Sequence, residues 1–167
     1  MPESLVVCNT SPLLYLHQVS CLEILYKLYE RIVVPPAVEN ELKVGRERGV
    51  DVPDVSQLQW VVIRTPAART LLPAVVDLGP GEAEVLALGL EIPDSLLVLD
   101  DQLARRIARL NGLLVTGTLG ILIRAKKSGF LDEVRPTIEK LLETSLWLSQ
   151  GLIRSALQGA DESDEGI

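Results

Sequence analysis

An open α/β domain, with a mostly parallel central sheet of about five short strands and helices on both faces, is the fold class the sequence predicts. Three observations carry it. Short apolar runs recur along the 167 residues, turn-forming or acidic residues close each run, and helical spacing fills the intervals between them. Apolar runs rich in Val, Ile and Leu suit strands buried on both faces, and strands separated by helices pair in parallel.

Leu5-Val6-Val7-Cys8 is the first strand. It stops at Asn9-Thr10. Ser11 is then expected to cap a helix with Pro12 at its first position, where a missing N–H costs nothing, and with Leu13, Leu14 and Leu16 on the apolar side. A second helix is expected from Ser20, with Cys21, Ile24, Leu25 and Leu28 on one stripe. Ile32-Val33-Val34 forms the next strand, closed by Pro35-Pro36, and helical spacing from Ala37 to Val44 ends near Gly45. Arg46 to Ser56 reads as a polar loop and Trp60 to Ile63 as a third strand. Gly79-Pro80-Gly81 breaks the chain before a helix from Glu82 to about Leu90. Leu96 to Leu99 is the fourth strand, Asp101 to Leu110 a helix, and Leu113 to Val115 the last strand after the Asn111-Gly112 turn. Helices fill the remainder.

The length and the apolar content, 47%, suit one domain over residues 1–158, with a core at 5–125 followed by C-terminal helices. Residues 159–167 read as an acidic tail without packed structure, because 160–166 hold four acids and no large apolar side chain. A net charge of −7 argues against a strongly basic nucleic-acid binder. No window reaches 18 uninterrupted apolar residues and Met1-Pro2-Glu3-Ser4 lacks a basic start, so a cytoplasmic location is expected. Cys8 and Cys21 are expected to be reduced thiols.

Ligands of open α/β folds bind at the carboxyl ends of the strands. Asn9 ends the first strand there, and Asp100 and Asp101 end the fourth. Glu41 lies beside the buried stripe of its helix, next to Leu42 and three residues from Val38. Glu82 and Glu84 both open the helix after Gly-Pro-Gly, and spacing leaves open which of them faces the crevice. Each residue also has a purely structural account: Asn9 in an Asx turn, Glu41 as a solvated helix acid, Glu82 against a helix macrodipole, Asp100 or Asp101 as a helix cap. Carboxylates that converge on one crevice repel one another, however, and usually coexist by sharing a cation.

These residues resemble those of the PIN domain, a metal-dependent ribonuclease fold that includes toxins of toxin–antitoxin pairs. The resemblance covers roughly residues 5–125 and rests on "VVCNTSPLL", "PPAVENEL", "GPGEAEVLALG" and "LLVLDD" in that order. Eighteen residues separate Glu82 from Asp100, an interval similar to that between the family's third and fourth acids, which favours Glu82 over Glu84. The stretch "DDQLARRIARLNGLLVTGTLGIL" is similar to one branch of the clan in which Asn-Thr-Ser-Pro replaces the first Asp motif.

The resemblance implies catalytic roles for Asn9, Glu41, Glu82 and Asp100, with Mg²⁺ or Mn²⁺ held by Asn9, Glu82, Asp100 and Asp101, and Ser11 behind them as helix cap and supporting partner. Hard oxygen ligands suit those ions, whereas His17 and two thiols at unrelated positions cannot build the usual zinc site. The lone histidine also argues against Ser-His-Asp or Cys-His catalysis. An Asp occupies the place of Asn9 in the commonest PIN pattern; the amide oxygen carries no formal charge, so one metal is expected more readily than two. Arg105, Arg106 and Arg109 are candidate RNA contacts, with Arg124, Lys126 and Lys127 beyond them. One Phe, two Trp and three Tyr offer little for base stacking. The implied partners are RNA and a small antitoxin; the apolar terminal helices read either as core packing against the sheet or as a dimer face for a second copy of the chain. The competing reading is a catalytically weakened pseudo-nuclease that binds RNA or protein as a regulatory module. A generic nucleotide binder ranks last, for want of a Gly-rich phosphate loop after the first strand.

Overall fold

A computed structural model describes residues 4–67 and 77–165. The strands β1 (Val6–Cys8), β2 (Ile32–Val34), β3 (Val61–Ile63), β4 (Leu96–Val98) and β5 (Leu114–Thr116) form one sheet in the order β3-β2-β1-β4-β5. Every pairing is parallel, with Val7 opposite both Val33 and Leu97, and Val98 opposite Thr116. Successive strand residues point to opposite faces, so the complete burial of Val6, Val7 and Cys8 shows that β1 is covered on both. The edge strands are less protected: Ile63 and Leu114 are exposed.

Eight helices are described: α1 (Thr10–Gln18), α2 (Glu23–Tyr29), α3 (Pro36–Glu47), α4 (Pro80–Glu91), α5 (Gln102–Leu110), α6 (Thr118–Lys127), α7 (Arg135–Leu142) and α8 (Gln150–Gly159). Leu13, Leu16, Leu86, Leu88, Leu97 and Ile121 are fully buried in one core, each worth about 1.5–3 kcal/mol of apolar transfer. From β1 the chain builds outward through β2 to β3, then crosses to β4 on the other side. The direction of winding therefore reverses between β1 and β4, where such sheets open a crevice at their carboxyl ends.

Several boundaries depart from the sequence expectation for local physical reasons. Asn9 N–H still donates to the Val98 carbonyl, so the chain leaves the sheet only there, and α1 starts at Thr10 with Asn9 in the cap position. Ser11 is therefore inside the helix and Pro12 third in it, a place the first turn tolerates because its N–H groups lack intrahelical partners anyway. Ser20 is left-handed (φ 59°) and closes the end of α1, which delays α2 to Glu23. Helix α3 runs past Gly45 to Glu47; Gly49, at φ 80°, supplies the left-handed stop. A single 3₁₀ turn at Val55–Gln57 interrupts the segment read as loop.

Part of the acidic segment also docks. Ala160 is buried, and the Glu162 carboxylate accepts from the N–H groups of Val134 (2.7 Å) and Arg135 (3.0 Å) and from Lys126 Nζ (3.0 Å). Hydrogen bonding at the start of α7 replaces the apolar anchor that the segment lacks. Burial opposes ionisation of Glu162, but these donors outweigh it and hold its carboxyl below the usual range. A depressed folded pKa gives stability that is complete above the ordinary glutamate value and fades as pH falls through the folded one. Glu162→Gln is expected to lower the Tm by about 2–4 °C at pH 7, with the gap closing in acid. Thermal melts of both chains from pH 7 to pH 3 check this; a gap that does not narrow toward acid would count against it.

Candidate active site

Three oxygen atoms meet where α1, α3 and α4 approach the carboxyl end of β1. A methyl-sized group placed on Gly81 would lie 2.6 Å and 2.9 Å from the two carboxylate oxygens of Glu41 and 3.0 Å from Asn9 Oδ1. Gly81 is a glycine because the Glu41 carboxylate fills the space of its side chain. The Gly81 N–H, without an intrahelical partner in the first turn of α4, donates to Glu41 Oε1 (3.0 Å), and the Thr10 hydroxyl donates to Oε2. Asn9 is 1% exposed, and its Oδ1 has no hydrogen-bond partner among the described residues. An unpaired buried acceptor of this kind costs about 1–3 kcal/mol.

The second cluster stands at the carboxyl end of β4. Asp100 accepts from the Thr118 N–H (2.7 Å) and the Thr118 hydroxyl (2.6 Å), one on each oxygen. Burial pushes the Asp100 carboxyl above the ordinary range, against the two Thr118 bonds and the Arg105 guanidinium, which favour the ionised form. The Cys8 thiol is pushed up by burial and then by the charge of Asp100, and both cysteines are free thiols.

The other expected residues fall in different places. Glu82 is half-buried at the start of α4, and its Oε2 lies back over Gly79, 2.6 Å from where a Cβ would sit, beside the positive end of its own helix. Glu84 is buried and accepts from the Ala37 N–H (2.8 Å), tying α4 to the start of α3. Asp101 is exposed and caps α5 through Ala104 N–H (2.8 Å). Ser11 is half-buried one residue beyond the threonine that meets Glu41. Arg105 is half-buried beside Asp100, whereas Arg106 and Arg109 are exposed on α5. Arg124 donates to the Tyr29 hydroxyl, Lys126 to Glu162, and His17 bonds Asp51. Thr10, Gly81 and Thr118 were not singled out by the sequence reading. Their signals lie in the short motifs Asn-Thr-Ser-Pro, Gly-Pro-Gly-Glu and Gly-Thr-Leu-Gly.

The donors are all oxygen, which suits a hard divalent cation, and the unpartnered Asn9 Oδ1 offers a ligand atom already stripped of water. Among the described residues no three His, Cys, Asp or Glu side chains converge closely enough to hold a metal ion. The Glu41 carboxylate and the Asn9 amide oxygen, side by side against Gly81, fit a cation that keeps much of its water, and Asp100 stands in a second cluster at the end of β4.

A parallel α/β sheet with polar residues gathered at its switch point defines a class of crevice-bearing folds whose ligands approach from the strand ends. The chain matches the family DUF3368, described as a PIN domain, over residues 5–162, and it belongs to that family. It thus has a nuclease-type fold. Comparison with curated proteins and with solved structures gave no match. No described helix is long and apolar enough to cross a membrane.

Proposed function

We propose that the protein is a ribonuclease that hydrolyses RNA phosphodiester bonds in the crevice between β1 and β4, using one Mg²⁺ or Mn²⁺. The observation that carries this reading is Asn9 Oδ1, buried without a partner among the described residues and gathered with the two oxygens of Glu41 against the backbone of Gly81. Asn9, Glu41 and Asp100 would hold the ion, with Glu82 at the rim. An ion held there would supply a water of lowered pKa and offset charge on the phosphodiester. The protein's own part is orientation. Thr10 and the Gly81 N–H fix Glu41, and Thr118 fixes Asp100, so no side chain need reorganise when the ion and substrate arrive. Arg106 and Arg109, exposed on α5, would contact phosphates without regard to base sequence.

The family resemblance extends the reading to the toxin of a toxin–antitoxin pair. Exposed Leu142, Trp147 and Leu152 support a homodimer through the C-terminal region. A second reading, the regulatory pseudo-nuclease, is favoured by the uncharged Asn9 amide and by the lack of three converging ionisable ligands among the described residues.

Asn9→Asp separates the two. A weakened natural site gains charge, so Mn²⁺ affinity and cleavage of labelled RNA are expected to rise about tenfold. If neither chain cuts RNA in Mg²⁺ or Mn²⁺ while both retain it in a binding assay, the regulatory reading holds.

A further inference from the structure

Arg105 stands apart from the other arginines of α5. The helix start is set by Asp101, whose side chain caps Ala104 N–H and whose carbonyl accepts from Arg105 N–H at 3.0 Å. That geometry sends Arg105, one turn into the helix, back toward the end of β4, where Nη1 donates to the Leu99 carbonyl at 3.0 Å. A Cβ on Gly117 would lie 2.6 Å from Arg105 Nη1 and 2.8 Å from Asp100 Oδ1. The two charged groups thus face each other across a gap that Gly117 leaves open. Arg106, adjacent in sequence, points to solvent.

We propose that Arg105 is the resident counter-ion of Asp100. It balances the half-buried carboxylate while no metal is bound, and a divalent cation entering the crevice works against its fixed charge. The assignment deepens the metal-site reading above and rests on it for its second half. A guanidinium remains protonated across the physiological range, so this competition is permanent, unlike that of a histidine. It also makes functional sense of the uncharged Asn9: with Arg105 in place the crevice is less acidic, which lowers repulsion of a phosphodiester while weakening metal retention.

Two measurements on the full chain test the assignment. The first is a metal-free double-mutant cycle in urea with Arg105→Gln, Asp100→Asn and the double variant. Arg105→Gln is expected to lower the unfolding midpoint in the wild-type background and to lower it much less beside Asp100→Asn. Equal shifts in the two backgrounds overturn the counter-ion. The second is calorimetric titration with Mn²⁺ of the wild type, Arg105→Gln and Arg106→Gln. The expected result is about tenfold tighter binding for Arg105→Gln only, because an exposed charge such as Arg106 is screened. Equal affinities for all three overturn the competition. Coupling in the cycle with no Mn²⁺ bound by any chain sustains the counter-ion and removes the metal-centre reading instead.

Discussion

Asp100→Asn is expected to reduce RNA cleavage by about 10²-fold or more, in kcat as well as kcat/KM, while leaving the fold intact. Asp100 is half-buried, and Thr118 occupies one position on each of its oxygens. An asparagine reproduces that pattern, since its carbonyl accepts from the Thr118 N–H and its amide donates to the hydroxyl oxygen. What is lost is the charge, and with it the attraction for a cation and the counter-charge of Arg105. Asp100→Ala removes the same charge but strands the Thr118 donors at a cost of about 1–3 kcal/mol. Comparing the two variants therefore separates chemistry from folding. Initial rates with labelled RNA in Mn²⁺ give the first readout, and growth after induced expression tests the toxin reading, with arrest expected for the wild type alone. Undiminished cleavage by Asp100→Asn would dismiss the carboxylate from the reaction.

Gly81→Ala should damage the site far more than the fold. Its methyl group would fall 2.6 Å and 2.9 Å from the Glu41 oxygens, a distance side-chain carbons do not tolerate. A carboxylate at the end of a flexible side chain can move away, so the clash is relieved by rotating Glu41 off the Gly81 N–H and the Thr10 hydroxyl. Losing those bonds costs about 1 kcal/mol, which the better helix propensity of alanine partly offsets. Mn²⁺ affinity and cleavage are expected to fall about 10–100-fold with a Tm shift of no more than about 2–4 °C. Gly45→Ala is the control, because a Cβ there meets Val52 at an ordinary 3.7 Å. Retention of full metal affinity by Gly81→Ala would place Glu41 outside the site.

Much of the architecture was legible because it follows from short-range rules. Apolar runs such as Val6–Cys8 and Ile32–Val34 are too short for helices and too uniform for a half-exposed sheet, so a parallel sheet buried on both faces was the consistent solution. The strand ends located Asn9 and Asp100, since polar residues at the carboxyl ends of parallel strands face the ligand side of the fold. Boundaries were less legible where a tertiary bond decided them. Asn9 displaced Ser11 as the cap of α1 because β4 offers its backbone a partner in Val98.

Among the candidate acids, the sequence by itself determined a small set and its order along the chain, together with the replacement of a carboxylate by an amide at Asn9. Only the tertiary structure decided how the set divides. Glu41 met Thr10 and Gly81 from three separate segments, Asp100 met Thr118 across the sheet, Asp101 turned to capping α5, and Glu84 tied α4 to α3. The reason is that spacing along a helix or strand fixes only which face a side chain leaves from. Which donor it meets depends on how elements distant in sequence are brought together, and that is set by the packing of the whole core.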